Sequence, residues 1–220
     1  MLHPSRSLCS LVVLLTACGG EDGSAPPVDA TAVADAVVLD ASIESPPPDA
    51  DTGPKLVFVT SVKYGGDLQT AGSGTDGLDG ADRLCALHAA AGGLAGTYRA
   101  WLSTPAVSAI DRVLGDGPWL NLMGEMAFAN RAMLQTTPTA AVLYDEEGQV
   151  QMAAVWTGTA VGGGLASPPT PGESSHCESW TTSDLQTHAV GGRSFSDDAT
   201  WTNFDELSCG YQWPLYCFGQ

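Results

Sequence analysis

The spacing of apolar positions divides the chain into a short apolar head, a long stretch without a period, and a region from residue 55 onward where strand and helix periods alternate. Lys55-Leu-Val-Phe-Val-Thr60 holds three β-branched residues and an aromatic in six positions, which predicts a strand. Glycine-rich Gly65 to Gly80 reads as loop. From Leu78 to Ala91 the period changes to that of a helix. Leu78, Ala81, Leu84, Cys85, His88 and Ala91 recur at spacings of three and four on one face. Asp79 and Asp82 near its start suit the positive end of the helix dipole, and Gly92-Gly93 stops it. Tyr98-Arg-Ala-Trp-Leu102 is a second strand. Thr104 as N-cap and Pro105 at the first helical position open a second helix to about Leu114. After Gly115 the signals are short strands and turns. Trp119 to Met123 and Met126 to Ala129 form a hairpin across Gly124-Glu125. Val142 to Tyr144 and Gln149 to Met152 flank the turn Asp145 to Gly148, and Ala154 to Thr159 is a further strand. Gly162 to Cys177 is a long loop of the kind that carries function or lacks order, and Leu215 to Phe218 is the last strand. Two early helices followed by short antiparallel strands make the class α+β.

The head, Met1 to Cys18, reads as an export signal. Arg6 supplies positive charge, and the apolar run Leu8 to Leu15 is too short to span a bilayer. It ends in Leu15-Thr16-Ala17-Cys18, which resembles the bacterial lipobox. There, small residues precede a cysteine whose thiol is acylated and which becomes the first residue of the mature chain. Gly19 is not the aspartate that often retains lipoproteins at the inner membrane. The resemblance therefore implies a Gram-negative cell envelope, with lipid anchoring at the outer membrane. Residues 19–54 follow with no Lys, no Arg and no aromatic residue, but eight acids and six prolines. Such a composition cannot bury enough apolar surface to offset ordering entropy, so it predicts a disordered acidic tether.

Charge removes two classes of partner. The net charge is −17, with 8 Lys and Arg against 25 Asp and Glu. Nucleic-acid affinity comes largely from basic residues on phosphates, and anionic lipid surfaces need a basic patch. The membrane is therefore a partner only through the anchor at Cys18.

Cys9 lies in the leader, and Cys18 is the acylation site. Cys85, Cys177, Cys209 and Cys217 remain. An even number in an exported chain predicts two disulfides, with three pairings open. A zinc site would need closer ligand pairs than Cys209 and Cys217 provide. A cysteine in the first helix, a late one after a long loop and two near the end resemble the C-type lectin-like fold. More narrowly, the chain resembles a bacterial endostatin-like family of unknown function. The matching stretches are Val57-Phe-Val-Thr60, Ala81-Asp-Arg-Leu-Cys85, Tyr98-Arg-Ala-Trp-Leu-Ser103, Val155-Trp-Thr-Gly-Thr159, Cys177-Glu-Ser-Trp-Thr181, Trp201-Thr-Asn203 and Leu215-Tyr-Cys-Phe218. The resemblance covers residues 55–220 and implies the pairs Cys85–Cys217 and Cys177–Cys209. It implies a binding or scaffold domain and does not imply an activity; the expectation is a lipid-anchored domain that binds an extracellular macromolecule, glycan or protein, and is not an enzyme.

Lectins of that fold hold calcium with a Glu-Pro-Asn-type loop and a Trp-Asn-Asp strand. This chain has Trp201-Thr202-Asn203, which retains one oxygen-bearing side chain and loses the adjacent pair, and Pro171-Gly172-Glu173 in place of the loop triplet. Asp197, Asp198, Asn203, Asp205 and Glu206 supply oxygens for a weak candidate calcium or ligand loop, and Ca²⁺ requires six to eight. Solvated loop acids are the plainer reading. Trp180, Trp201 and Trp213 are candidate stacking platforms beside the loop, with packing in the core the plainer reading. His88 is expected to pack in the core, while His176 and His188 lie near the loop. No Gly-x-Ser-x-Gly elbow is present. A structural envelope lipoprotein without a ligand and a secreted hydrolase are the rival functions.

Overall fold

In the computed structural model, strand β1 (Lys55–Val59) lies at the centre of a five-stranded sheet. The structure describes residues 53–168 and 170–220. The export signal, Cys18 and the tether up to residue 52 lie outside the described residues. Val57, Phe58 and Val59 are all buried, as in a strand covered on both faces. Successive side chains point to opposite faces, so Phe58 joins one apolar cluster while Val57 and Val59 join another. Strand β2 (Tyr98–Ala100) forms one edge of the sheet. The short strands β3 (Trp119–Leu120) and β4 (Met126–Phe128) pair as the expected hairpin at the other edge. Strands β5 (Ala154–Trp156), β6 (His188–Arg193) and β7 (Asp205–Ser208) form a separate antiparallel sheet. Strand β8 (Tyr216–Gly219) inserts between β1 and β2, antiparallel to both.

The protein is therefore α+β, with sheets rich in antiparallel pairs. One pair departs from the expectation, because β1 and β3 run parallel. The long excursion between them, through helices and an edge strand, supplies the crossover that a parallel pair needs.

Helix α2 (Gly77–Ala91) is the expected first helix, but its first turn and helix α1 (Leu68–Ala71) occupy ground that the composition assigned to loop. The glycines there allow close approach rather than irregular chain. A Cβ on Gly80 would stand 2.1 Å from the carbonyl oxygen of Leu68. Helix α2 begins at Asp76, whose carboxylate accepts from the Asp79 N–H at 2.8 Å. It ends at Gly92-Gly93, where Gly93 takes φ of +68°. Its buried stripe is Ala81, Leu84, Cys85, His88 and Ala89, whereas Ala91 is exposed.

The second expected helix shrinks to one turn, α3 (Ala109–Arg112). Thr104 closes a tight turn with Val107 instead of capping a helix, its N–H bonding the Val107 carbonyl at 2.9 Å. The N–H of Ala109 bonds the Ser103 hydroxyl, and the N–H of Ile110 bonds the Gly163 carbonyl. These tertiary partners satisfy the first amides of the short helix, which in a helix running from Pro105 would have bonded within it.

Five of the six tryptophan N–H groups have named acceptors: Thr202 for Trp101, and the carbonyls of Gly219, Tyr64, Ser103 and Thr136 for Trp119, Trp156, Trp180 and Trp201. A buried indole needs such a partner, so each ring packs in one orientation. Two disulfides join Cys85 to Cys217 and Cys177 to Cys209. The turn Cys177–Trp180 is left-handed, with φ of +43°, +51°, +61° and +67° in succession. That conformation costs non-glycine residues about 1–2 kcal/mol each. The Cys177–Cys209 bridge and the buried Trp180 ring hold the turn in place.

Candidate ligand cleft

The structure places two of the candidate stacking rings in the core. Trp180 is fully buried and Trp201 is 1% exposed, so neither offers a face to a ligand. Trp201 instead packs against Trp101, Phe128 and Tyr216. The candidate acids serve local bonds. Asp198 accepts from the Thr200 N–H at 2.8 Å and the Thr200 hydroxyl, which hold its carboxyl below the usual range. Asp205 accepts from the Glu206 N–H. Glu206 takes both the N–H and the hydroxyl of Thr170 and so clamps the long loop to β7. Asp197 and Asn203 are exposed. Among the described residues no group of three or more His, Cys, Asp or Glu is placed to hold a metal ion. The donor set does not fit calcium, because its carboxylates are dispersed and turned to neighbouring amides. His176 accepts from the Ser179 N–H at 2.8 Å, bracing the left-handed turn, and His188 lies 3.4 Å from Glu173.

His88 is packed in the core as expected, but it is also the centre of a polar chain that the sequence did not disclose. Its Nδ1 contacts Glu146, and its Nε2 lies 2.7 Å from the Tyr64 hydroxyl. Glu146 also accepts from the Ser61 N–H at 2.9 Å and from the Ser61 hydroxyl. The turn before Gly148 positions Glu146, because Asp145 accepts from the N–H groups of Glu147 and Gln149 and from Gln151. Burial alone would raise the Glu146 carboxyl, yet the bonds from His88 and Ser61 outweigh it and hold the group below the usual range. Burial, with the Glu146 charge beside it, pushes the Tyr64 phenol up. The bonds tie Ser61 and Tyr64 after β1 to His88 on α2 and Glu146 in its turn, so this group reads as a structural pin. Its hydroxyl end can donate to neutral imidazole or accept from imidazolium, which leaves the bonding intact in either state.

The remaining concentration of charge lies between α2 and the edge strand β2. One recess of about 400 Å³ is walled by Asp82, Arg83, Ala86, Gly96, Thr97, Tyr98, Arg99, Leu114 and Gln220. A second, of about 320 Å³, shares Asp82 and Arg99 and is closed by Asp76, Asp79 and Arg112. A third adjoins them past Gln220 and Lys55. Apart from Arg6, the chain has seven Lys and Arg residues, and Lys55, Arg83, Arg99 and Arg112 line these recesses. Asp82 is the hinge of the group. Its Oδ1 accepts from the outward Ala100 N–H of β2 at 2.9 Å and from Arg112 Nη2. Its Oδ2 is 3.8 Å from Arg99. Burial raises the Asp82 carboxyl, against the pull of Arg112 and the Ala100 N–H. Burial likewise lowers Arg112, though a guanidinium stays charged at any ordinary pH. Arg112 is 5% exposed, and its Nε and Nη1 have no hydrogen-bond partner.

Sequence reading assigned Asp82 only to the helix dipole and overlooked Arg83, Arg99 and Arg112. The available signal was scarcity, since every cation in so acidic a chain must be placed somewhere. Compared with known proteins, the chain matches no family model and no curated protein.

Proposed function

We propose that the chain is a lipid-anchored envelope protein whose folded part is a C-type lectin-like domain binding an extracellular macromolecule through the cleft between α2 and β2. The observation that carries the binding reading is that cleft, where Arg83, Arg99 and Arg112 of an acidic chain line two recesses that share Asp82 and Arg99. Concave sites with a few converging polar groups on an apolar floor are where ligands bind. The fold reading is supported by the bridges Cys85–Cys217 and Cys177–Cys209, and by β1 and β8 lying side by side so that both ends of the domain meet. The anchor reading rests on Leu15-Thr16-Ala17-Cys18.

A glycan and matrix-protein array probed with the purified protein tests the binding reading. Saturable capture of one ligand class, lost on Arg99→Gln, is the expected result. Capture of nothing, or of everything alike, returns the protein to a structural role. Membrane fractionation tests the anchor. Cys18→Ser is expected to release the protein, and unchanged membrane partitioning would exclude acylation there.

A further inference from the structure

The electrostatics of the cleft narrow the ligand, given that it binds one at all. The Arg112–Asp82 contact neutralises the half-buried carboxylate, and the Ala100 N–H occupies the same oxygen. Arg99 is left with one contact of 3.8 Å to Asp82, and 43% of its side chain is exposed. Arg83 faces the same recess from α2. Its partner Asp79, at 3.1 Å, is also satisfied by the N–H and hydroxyl of Thr75. Asp82 pairs with Arg112 and Asp79 with Arg83, while Asp76 lines the second recess alone, so Arg99 is the least neutralised cation of the first recess, with Arg83 on the facing helix. Ala86, Tyr98 and Leu114 supply apolar wall, and Leu114 is 63% exposed although it is a large aliphatic side chain. The net charge of −17 repels anions at a distance, but at physiological salt that field is screened beyond about 8 Å. A guanidinium matched to a carboxylate acts well inside that range.

We infer that the recess between α2 and β2 binds a carboxylate carried on an apolar body, with Arg99 and Arg83 taking the carboxylate and Ala86, Tyr98 and Leu114 the apolar part. Arg112 is a positioning residue. It holds Asp82 against the edge of β2 and so keeps Arg99 available. This inference rests on the binding reading above and specifies its chemistry.

The test is titration of the full-length protein with phenylacetate, phenylacetamide and acetate, followed through the arginine side-chain N–H signals by nuclear magnetic resonance. Phenylacetate is expected to saturate at least tenfold more tightly than either of the other probes, and to weaken as salt rises from low to high. Arg99→Gln is expected to cost about tenfold in affinity, the loss of one charge-assisted contact. Arg83→Gln is expected to cost less, and Lys63→Gln, outside the recess, nothing. Arg99→Lys guards against a folding artefact, since it keeps the charge and is expected to restore part of the loss. Equal binding of phenylacetamide, absence of saturation, or indifference to Arg99→Gln overturns the inference. An array ligand whose capture survives Arg99→Gln would also overturn it while leaving the protein a binder. An empty array alongside phenylacetate saturation would instead refute the macromolecular reading alone.

Discussion

Glu146 shows how one side chain can hold three segments together. It lies in a turn, yet its carboxylate fastens Ser61 after β1 and His88 on α2, and Gly92 packs so close that a Cβ there would stand 2.3 Å from the Glu146 carbonyl oxygen. Glu146→Gln keeps an acceptor but removes the charge. It is expected to lower stability at neutral pH by about 1–3 kcal/mol, the range for disturbing a buried charged hydrogen bond. The pH dependence follows from the sign of the shift. Because the folded carboxyl titrates below its usual range, its contribution is fully present above that range and is lost as pH falls through the depressed value. The gap between wild type and variant is therefore expected to close on acidification. Urea unfolding at a series of pH values measures it, and a gap that widens toward acid would show that the carboxylate is not the stabilising species.

At the scale of elements, the crossing of α1 and α2 depends on glycines at the contact. In an ordinary helix interior, Gly→Ala gains about 1 kcal/mol through propensity. At Gly80 the sign reverses, because the added Cβ would meet backbone of Leu68 at 2.1 Å and the helices would have to separate. Gly80→Ala is expected to cost about 1–3 kcal/mol. Gly164, with nothing within 4 Å of a built Cβ, serves as the contrast, and Gly164→Ala is expected to stay within about 0.5 kcal/mol. Thermal unfolding of the two variants side by side decides whether close approach or helix propensity governs α2.

For the whole domain, the two bridges divide the work by what they close. Cys85–Cys217 spans 132 residues and ties α2 to β8, the strand shared by β1 and β2. Cys177–Cys209 spans 32 residues and ties the left-handed turn to the end of β7. In the chain-entropy model these loops contribute about 5 and about 4 kcal/mol. The larger figure is comparable with the total stability of many domains, about 5–15 kcal/mol. Replacing Cys85 and Cys217 by alanine is expected to unfold the domain or bring it to the edge of unfolding. Replacing Cys177 and Cys209 is expected to loosen residues 160–209 while β1, α2 and β8 stay protected. Hydrogen exchange separates the outcomes, and loss of protection in α2 after removal of the inner bridge would contradict this division.

Much of this was legible locally. The run Leu56 to Val59, the three- and four-residue spacing along α2 and the Gly124 hairpin are short-range patterns, and short-range sterics and burial decide them without reference to distant chain. The count of four cysteines fixed that two bridges were possible. Their pairing entered only through a family resemblance, and the geometry of α2 and β8 realises it. What local pattern could not supply is any feature whose partners lie far apart in sequence. The Thr104 segment reads as a helix start until Ser103 and Gly163 take its amides. The Gly65 to Gly80 segment reads as loop until α1 and α2 use the same glycines for contact. Trp180 and Trp201 read as candidate surfaces until their indole N–H groups find backbone acceptors inside. His88 and Glu146 are 58 residues apart, and Asp82 and Arg112 are 30 apart, with no spacing rule to join them. Burial and charge pairing are properties of neighbours in space, so only the tertiary structure could decide that the acids after β6 disperse while scarce arginines converge beside β2.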